Sequence, residues 1–73
     1  MEYTVIVFKA EEGGYWAKVP ALPGCYSQGE TIEESVKNIQ EAIESHLAAL
    51  RDEGKTVPTE PPLVIAKVEV GTR

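Results

Sequence analysis

Cys25 and His46 are the one thiol and the one imidazole in the sequence, and as a pair they could form a nucleophile–base dyad. Their surroundings favour plainer roles. Cys25 follows Pro23-Gly24 and opens a short strand, where a small buried thiol is the commonest occupant. His46 stands beside Leu47 on a helical pattern, which puts it at a helix surface or a core edge. One Cys and one His cannot complete the four-ligand set of a structural zinc, and a single cysteine cannot form a disulfide within the chain. No metal, no cofactor and no catalytic residue is expected. Tyr15, Trp16 and Tyr26 could stack nucleic-acid bases. A nucleic-acid binder, however, carries a basic stripe to displace counterions, whereas this chain has 7 Lys and Arg against 12 Asp and Glu, a net charge of −5. The aromatic residues therefore point to core packing or a protein interface. A negative field of this kind aids solubility, its commoner role, and also favours a basic protein partner.

The elements that must position these groups follow from the pattern. Tyr3 to Phe8 is β-branched and aromatic and reads as a strand continuing to about Glu11, apolar on both faces. Glu11-Glu12-Gly13-Gly14 is a hairpin turn, and Tyr15 to Val19 is the returning strand. On that strand Trp16 and Lys18 share one face, opposite Tyr15, Ala17 and Val19. Pro23-Gly24 turns the chain again, and Cys25 to Gln28 is a short third strand. Thr31-Ile32-Glu33-Glu34 fits a capping box, with Thr31 as the cap. Ile32, Val36, Ile39, Ile43, Leu47 and Leu50 then recur at helical spacing, and Gly54 and Pro58 end the helix. The opposite helix face carries Glu33, Lys37, Glu41 and Glu44, with Glu33 and Lys37 spaced for an ion pair. Lys55 to Pro62 is a polar connection, and Leu63 to Val70 reads as a fourth strand.

The order β-β-β-α-β predicts one α+β domain over residues 1–73. A right-handed crossover would return the last strand parallel to the first, giving a mixed four-stranded sheet of order 3-2-1-4 with the helix on one face. The other face would then leave apolar residues bare, which marks an interaction site. A homodimer or homotetramer is expected, with Val5, Val7 and Ile65 as interface candidates. Ordering a chain of this length costs about 1.5 kcal/mol per residue, so support from a partner chain is also energetically reasonable. No stretch is apolar enough to span a membrane, and Met1-Glu2-Tyr3 does not resemble a signal peptide. With a lone cysteine, this predicts a cytoplasmic protein and no membrane partner.

The run from Tyr15 to Thr31, containing Pro20-Ala21-Leu22-Pro23-Gly24-Cys25 and Ser27-Gln28-Gly29-Glu30-Thr31, resembles the HicB-like antitoxin family. Glu33, Glu34, Ser35, Asn38, Ile39, Glu41, Ala42 and Ile43 fit the continuation of that pattern, and the resemblance spans about residues 3 to 58. It implies a partial RNase H-like fold and a non-catalytic antitoxin. The implied partner is a small basic HicA-like toxin that cleaves mRNA. Many members carry a C-terminal DNA-binding segment; none follows the fourth strand here, so direct DNA binding is not expected. An RNase H-like nuclease would need an acid on the first strand, and Tyr3 to Ala10 has none. The residues expected to meet the toxin are Tyr15, Trp16, Lys18, Leu22, Pro23 and Tyr26, with Glu30, Glu33 and Glu41 steering the encounter. The rival reading is a homo-oligomeric scaffold or ligand-binding module with no toxin partner.

Overall fold

A hairpin and one capped helix build the molecule. In the computed structural model, which describes residues 1–71, β1 (Ile6–Lys9), β2 (Tyr15–Lys18) and β3 (Tyr26–Gly29) are followed by α1 (Ile32–Asp52). The strands form an antiparallel sheet of order β1-β2-β3. Val7 pairs with Ala17 and Ala17 with Ser27, so these three share one face. Phe8 pairs with Trp16 and Trp16 with Gln28 on the other.

The turn between β1 and β2 uses Gly13 (φ 105°) and Gly14 (φ 75°), a left-handed region that glycine enters without a Cβ clash. The chain from Val19 to Cys25 closes on itself through Leu22 N–H to the Val19 carbonyl and Cys25 N–H to the Leu22 carbonyl, both 3.0 Å. This loop tucks Leu22 fully out of water and into the core. Ala17, Val19, Leu22, Cys25, Ile39 and Leu47 form that core, between the sheet and the helix.

Both ends of α1 are built as the sequence predicts. Thr31 Oγ1 accepts the Glu34 N–H at 3.0 Å, while the Glu34 carboxylate reaches back to the Glu30 N–H at 3.0 Å. At the other end Gly54 (φ 70°) follows the cap residue Glu53. Gly54 N–H donates to Arg51 and Lys55 N–H to Leu50, the paired bonds of a Schellman motif.

The helix lies mainly over β3 and β2 and touches β1 least. Its close approach to β3 depends on small residues. A Cβ added at Gly29 would stand 2.7 Å from the Ser35 backbone nitrogen, and Ser35 itself is fully buried. Ser27 Oγ donates to the Ser35 carbonyl at 2.9 Å, and Asn38 Nδ2 donates to the Gln28 carbonyl at 2.7 Å. Ser35 and Asn38 thus tie the helix to the edge strand. The apolar stripe of α1 is only partly used: Ile39 and Leu47 are buried and Ile43 and Leu50 half-buried, while Ile32 and Val36 remain exposed. A groove of about 330 Å³ between Tyr3, Val5 and the helix residues Val36 and Ile43 marks the thin cover beside β1.

Among the described residues the sheet has three strands, in the order β1-β2-β3, where the sequence predicts a fourth and the order 3-2-1-4. Strand composition alone makes no strand; a ladder partner does. The connection instead runs past the start of β1. Val57 packs against the core, the Tyr3 hydroxyl donates to the Pro58 carbonyl, and Glu60 accepts from Thr4 N–H (2.6 Å) and Oγ1 (2.7 Å). Pro61 and Pro62 follow, with no N–H to offer a ladder. Leu63 to Val70 is exposed and, among the described residues, has no ladder partner.

Candidate protein-binding face

Alternation along the strands decides which side chains leave the core. Because Ala17 and Ser27 face the helix, Trp16 and Lys18 of β2 must face away, as do Ile6 and Phe8 of β1 and Tyr26 and Gln28 of β3. The sheet's outer face has no helix over it, and an aromatic strip runs across all three strands. Phe8 stacks on Trp16 with centroids 4.3 Å apart and planes at 15°. Tyr26 lies diagonally beside Trp16 at 6.2 Å and 47°. The Lys18 ammonium sits 5.5 Å from the Phe8 centroid, a cation–π contact that holds one end of the strip. Trp16 and Phe8 are half-buried by one another, and Tyr26 is 59% exposed.

The strip's other end is acidic. Glu12, Glu30, Glu34 and Asn38 border a cleft of about 610 Å³ together with Trp16 and Gln28, at the end of the sheet where the Gly13-Gly14 turn lies. Carboxylates beside an indole face suit a cationic group such as a Lys or Arg side chain. Gly14 keeps this end tight, since a Cβ there would stand 2.8 Å from the Gly29 carbonyl oxygen.

Of the residues expected to meet a partner, Trp16, Lys18 and Tyr26 lie together on this face, and exposed Pro23 precedes β3. Tyr15 shares the helix-facing side with Ala17, and Leu22 is buried with no surface to present. Glu30 reaches the acidic cleft. Glu33 and Glu41 are exposed on α1, in the layer behind the sheet, so only their long-range field can act at the aromatic strip. Glu33 and Lys37 do not close an ion pair; among the described residues the pair within reach is Lys55–Glu53, at 3.0 Å on the surface. Phe8 and Gln28, which only the strand register identifies, complete the face together with Glu12 and Glu34, which line the cleft. The oligomer candidates do not share one surface. Val5 and Val7 pack against the core on the helix side, whereas Ile65 lies in the exposed tail.

The chemistry of a catalytic site is not assembled from Cys25. Its thiol is buried, and desolvation pushes its pKa up, which favours the protonated form over the nucleophilic thiolate. No group of three or more His, Cys, Asp or Glu is placed to hold a metal ion among the described residues.

Comparison with known proteins now decides the lineage of this face. Residues 3–70 match the family model described as the HicB-like antitoxin of a bacterial toxin-antitoxin system. The chain belongs to the HicB-like antitoxin family. Among its relatives, the HicB-like chain is 47% identical over 58 residues to a UPF0150 protein of Thermoplasma acidophilum, covering 80% of this chain and 84% of the relative. It is 42% identical over 64 residues to a UPF0150 protein of Helicobacter pylori, covering 88% and 89%. Among solved structures, the N-terminal domain of the Burkholderia pseudomallei antitoxin HicB superposes with a TM-score of 0.76 at 36% identity, covering 86% of this chain and 74% of that one. A chain of a HicA3 and HicB3 toxin-antitoxin complex superposes with a TM-score of 0.68 at 35% identity, covering 82% and 69%. This HicB-like domain is thus an α+β fold of three antiparallel strands and one helix. No helix of its described residues is long and apolar enough to cross a membrane.

Proposed function

We propose that this HicB-like domain is a non-catalytic antitoxin that binds and neutralises a small basic HicA-like toxin through the outer face of its sheet. The observation that carries this reading is the helix-free strip of Phe8, Trp16 and Tyr26 with the acidic cleft at its end. Protein interfaces draw most of their affinity from a few aromatic anchors with a polar rim around them. A basic ribonuclease presents cationic groups that the cleft's carboxylates complement, and the domain's charge of −5 steers the encounter. Membership of the antitoxin family and the likeness to a chain of a HicA3 and HicB3 complex support the same partner class. Binding alone neutralises the toxin in this account, by masking its RNA-contacting surface. Co-expression with a small basic HicA-like protein tests it. The expected result is a stoichiometric complex that no longer cleaves RNA. Toxin that elutes free and stays active would refute the proposal.

A further inference from the structure

The outer face of the sheet is polarised, and Lys18 makes it so. Glu12, Glu30 and Glu34 border the cleft at one end, whereas the opposite end of β2 carries an ammonium. The cross-strand partners of Lys18 are Ile6 and Tyr26, and Trp16 precedes it on the same face, so its neighbours there are uncharged. Among the described residues no acid closes an ion pair with it. Glu60 reaches the chain just before β1, but Thr4 engages both of its oxygens. The ammonium instead lies 5.5 Å from the Phe8 centroid. A ring face attracts a cation but supplies no carboxylate oxygen, so the ammonium's donors stay available to an acceptor on another molecule. In a domain of charge −5 that meets a basic protein, a lysine pinned on the binding face works against the general attraction.

We infer that Lys18 sets the direction in which the toxin docks, by pairing with an acidic side chain of an otherwise basic partner. The inference rests on the toxin-binding reading of this face and adds the partner's chemistry to it. Charge complementarity fixes the occupant: cationic groups over the cleft and one carboxylate over Lys18. The spacing follows from the register. Lys18 stands opposite Tyr26, and Glu30 follows Tyr26 by four residues, which is about 13 Å of extended chain. A partner turned end for end would set its cation against Lys18 and its carboxylate against the cleft. Two attractive pairs would become two like-charge contacts. The aromatic strip between the ends accepts either direction, but the charges do not. Affinity therefore resides in the strip, and direction resides in its ends.

The test is calorimetry on the full chain, with the small basic HicA-like protein of the co-expression experiment as the probe. Four forms are compared: unaltered, Lys18→Arg, Lys18→Met and Lys18→Glu, each checked for an intact fold by circular dichroism. Lys18→Glu loses one positive charge and gains one negative, taking the net charge from −5 to −7. General attraction to a basic partner would then tighten binding, whereas loss of a local pair weakens it. The expected weakening is about tenfold or more for Lys18→Glu and about threefold for Lys18→Met. Lys18→Arg keeps the charge and should stay within about twofold of the unaltered chain. The toxin's acidic residues are then reversed to Lys one at a time. One reversal should weaken binding to the unaltered chain and restore binding to Lys18→Glu. A folded Lys18→Glu that binds as tightly as the unaltered chain would overturn the inference and leave the toxin-binding reading standing. So would a set of toxin reversals in which none restores binding. An unaltered chain that does not bind the toxin would overturn both.

Discussion

Replacing Gly29 with Ala should destabilise the domain through one contact that can be located to the atom. The glycine does not sit in the left-handed region, so its torsion angles would suit alanine. Space is the obstacle. The new methyl would lie 2.7 Å from the Ser35 backbone nitrogen and 3.0 Å from both the carbonyl carbon and the Cβ of Glu34. Ordinary contact begins at 3.4 Å, so the first turn of α1 must retreat by about 0.7 Å, the difference between 3.4 and 2.7. That movement strains the bonds of Ser27 to Ser35 and Asn38 to Gln28, which start at 2.9 and 2.7 Å. Overpacking of this kind costs about 1–3 kcal/mol. For a domain of this size each kcal/mol lowers Tm by about 4–8 °C, so a fall of roughly 4–24 °C is expected at fixed protein concentration. Urea denaturation followed by circular dichroism measures the same loss. Gly13→Ala is the control: unlike Gly29→Ala it meets nothing within 4 Å, so its φ of 105° leaves only a backbone penalty. Asn at position 13 should recover part of that penalty, because Asn tolerates positive φ, whereas Asn at position 29 should be worse than Ala. Gly29→Ala within about 0.5 kcal/mol of the unaltered protein would refute the packing argument.

Further consequences follow from the same contacts. Leu22→Ala removes a fully buried side chain from the core and should cost about 2–5 kcal/mol in denaturant titration. Its effect on toxin affinity should vanish once folding is accounted for. Cys25, whose burial raises its pKa above the ordinary thiol value of 9.0, should resist iodoacetamide in the folded state and react once urea unfolds the chain. The folded state keeps its proton longer than the unfolded one, so this stabilisation is whole below pH 9.0 and declines as pH rises through the higher folded value. If the native thiol alkylates as fast as a free one, the burial is wrong. Toxin association by stopped flow should slow as salt rises, and Glu30→Lys should slow it further at low salt while changing dissociation less.

What the sequence discloses and what it withholds divide along physical lines. Thr31, Glu34 and Gly54 mark the helix ends because capping is local chemistry, settled within a few residues. The hairpin is equally legible from Gly13-Gly14 between two strand-like runs. Leu63 to Val70 shows the opposite case. Its residues favour extended backbone, but a strand is completed by a neighbour, and Glu60 with Pro61-Pro62 sends the segment away from β1. Leu22 misleads for a related reason: it sits between two prolines in an apparent surface turn, and only the closed loop from Val19 to Cys25 turns it inward. The candidate face is half legible. Period-two alternation places Trp16 and Lys18 together, yet joining them to Phe8 and Tyr26 requires the register, and choosing the outward side requires knowing where the helix packs.

The measurement that tests the central claim most directly is the affinity of Trp16→Ala for a HicA-like toxin by calorimetry, beside Glu41→Ala and the unaltered domain. Trp16 lies at the centre of the aromatic strip, and Glu41 lies on α1 behind the sheet. Loss of an aromatic anchor should cost about 2 kcal/mol or more, a weakening of roughly thirtyfold, with the fold intact by circular dichroism. Glu41→Ala should stay within about threefold of the unaltered domain. Unchanged binding by a folded Trp16→Ala, with affinity lost instead at Glu41, would place the toxin on the helix and contradict the account.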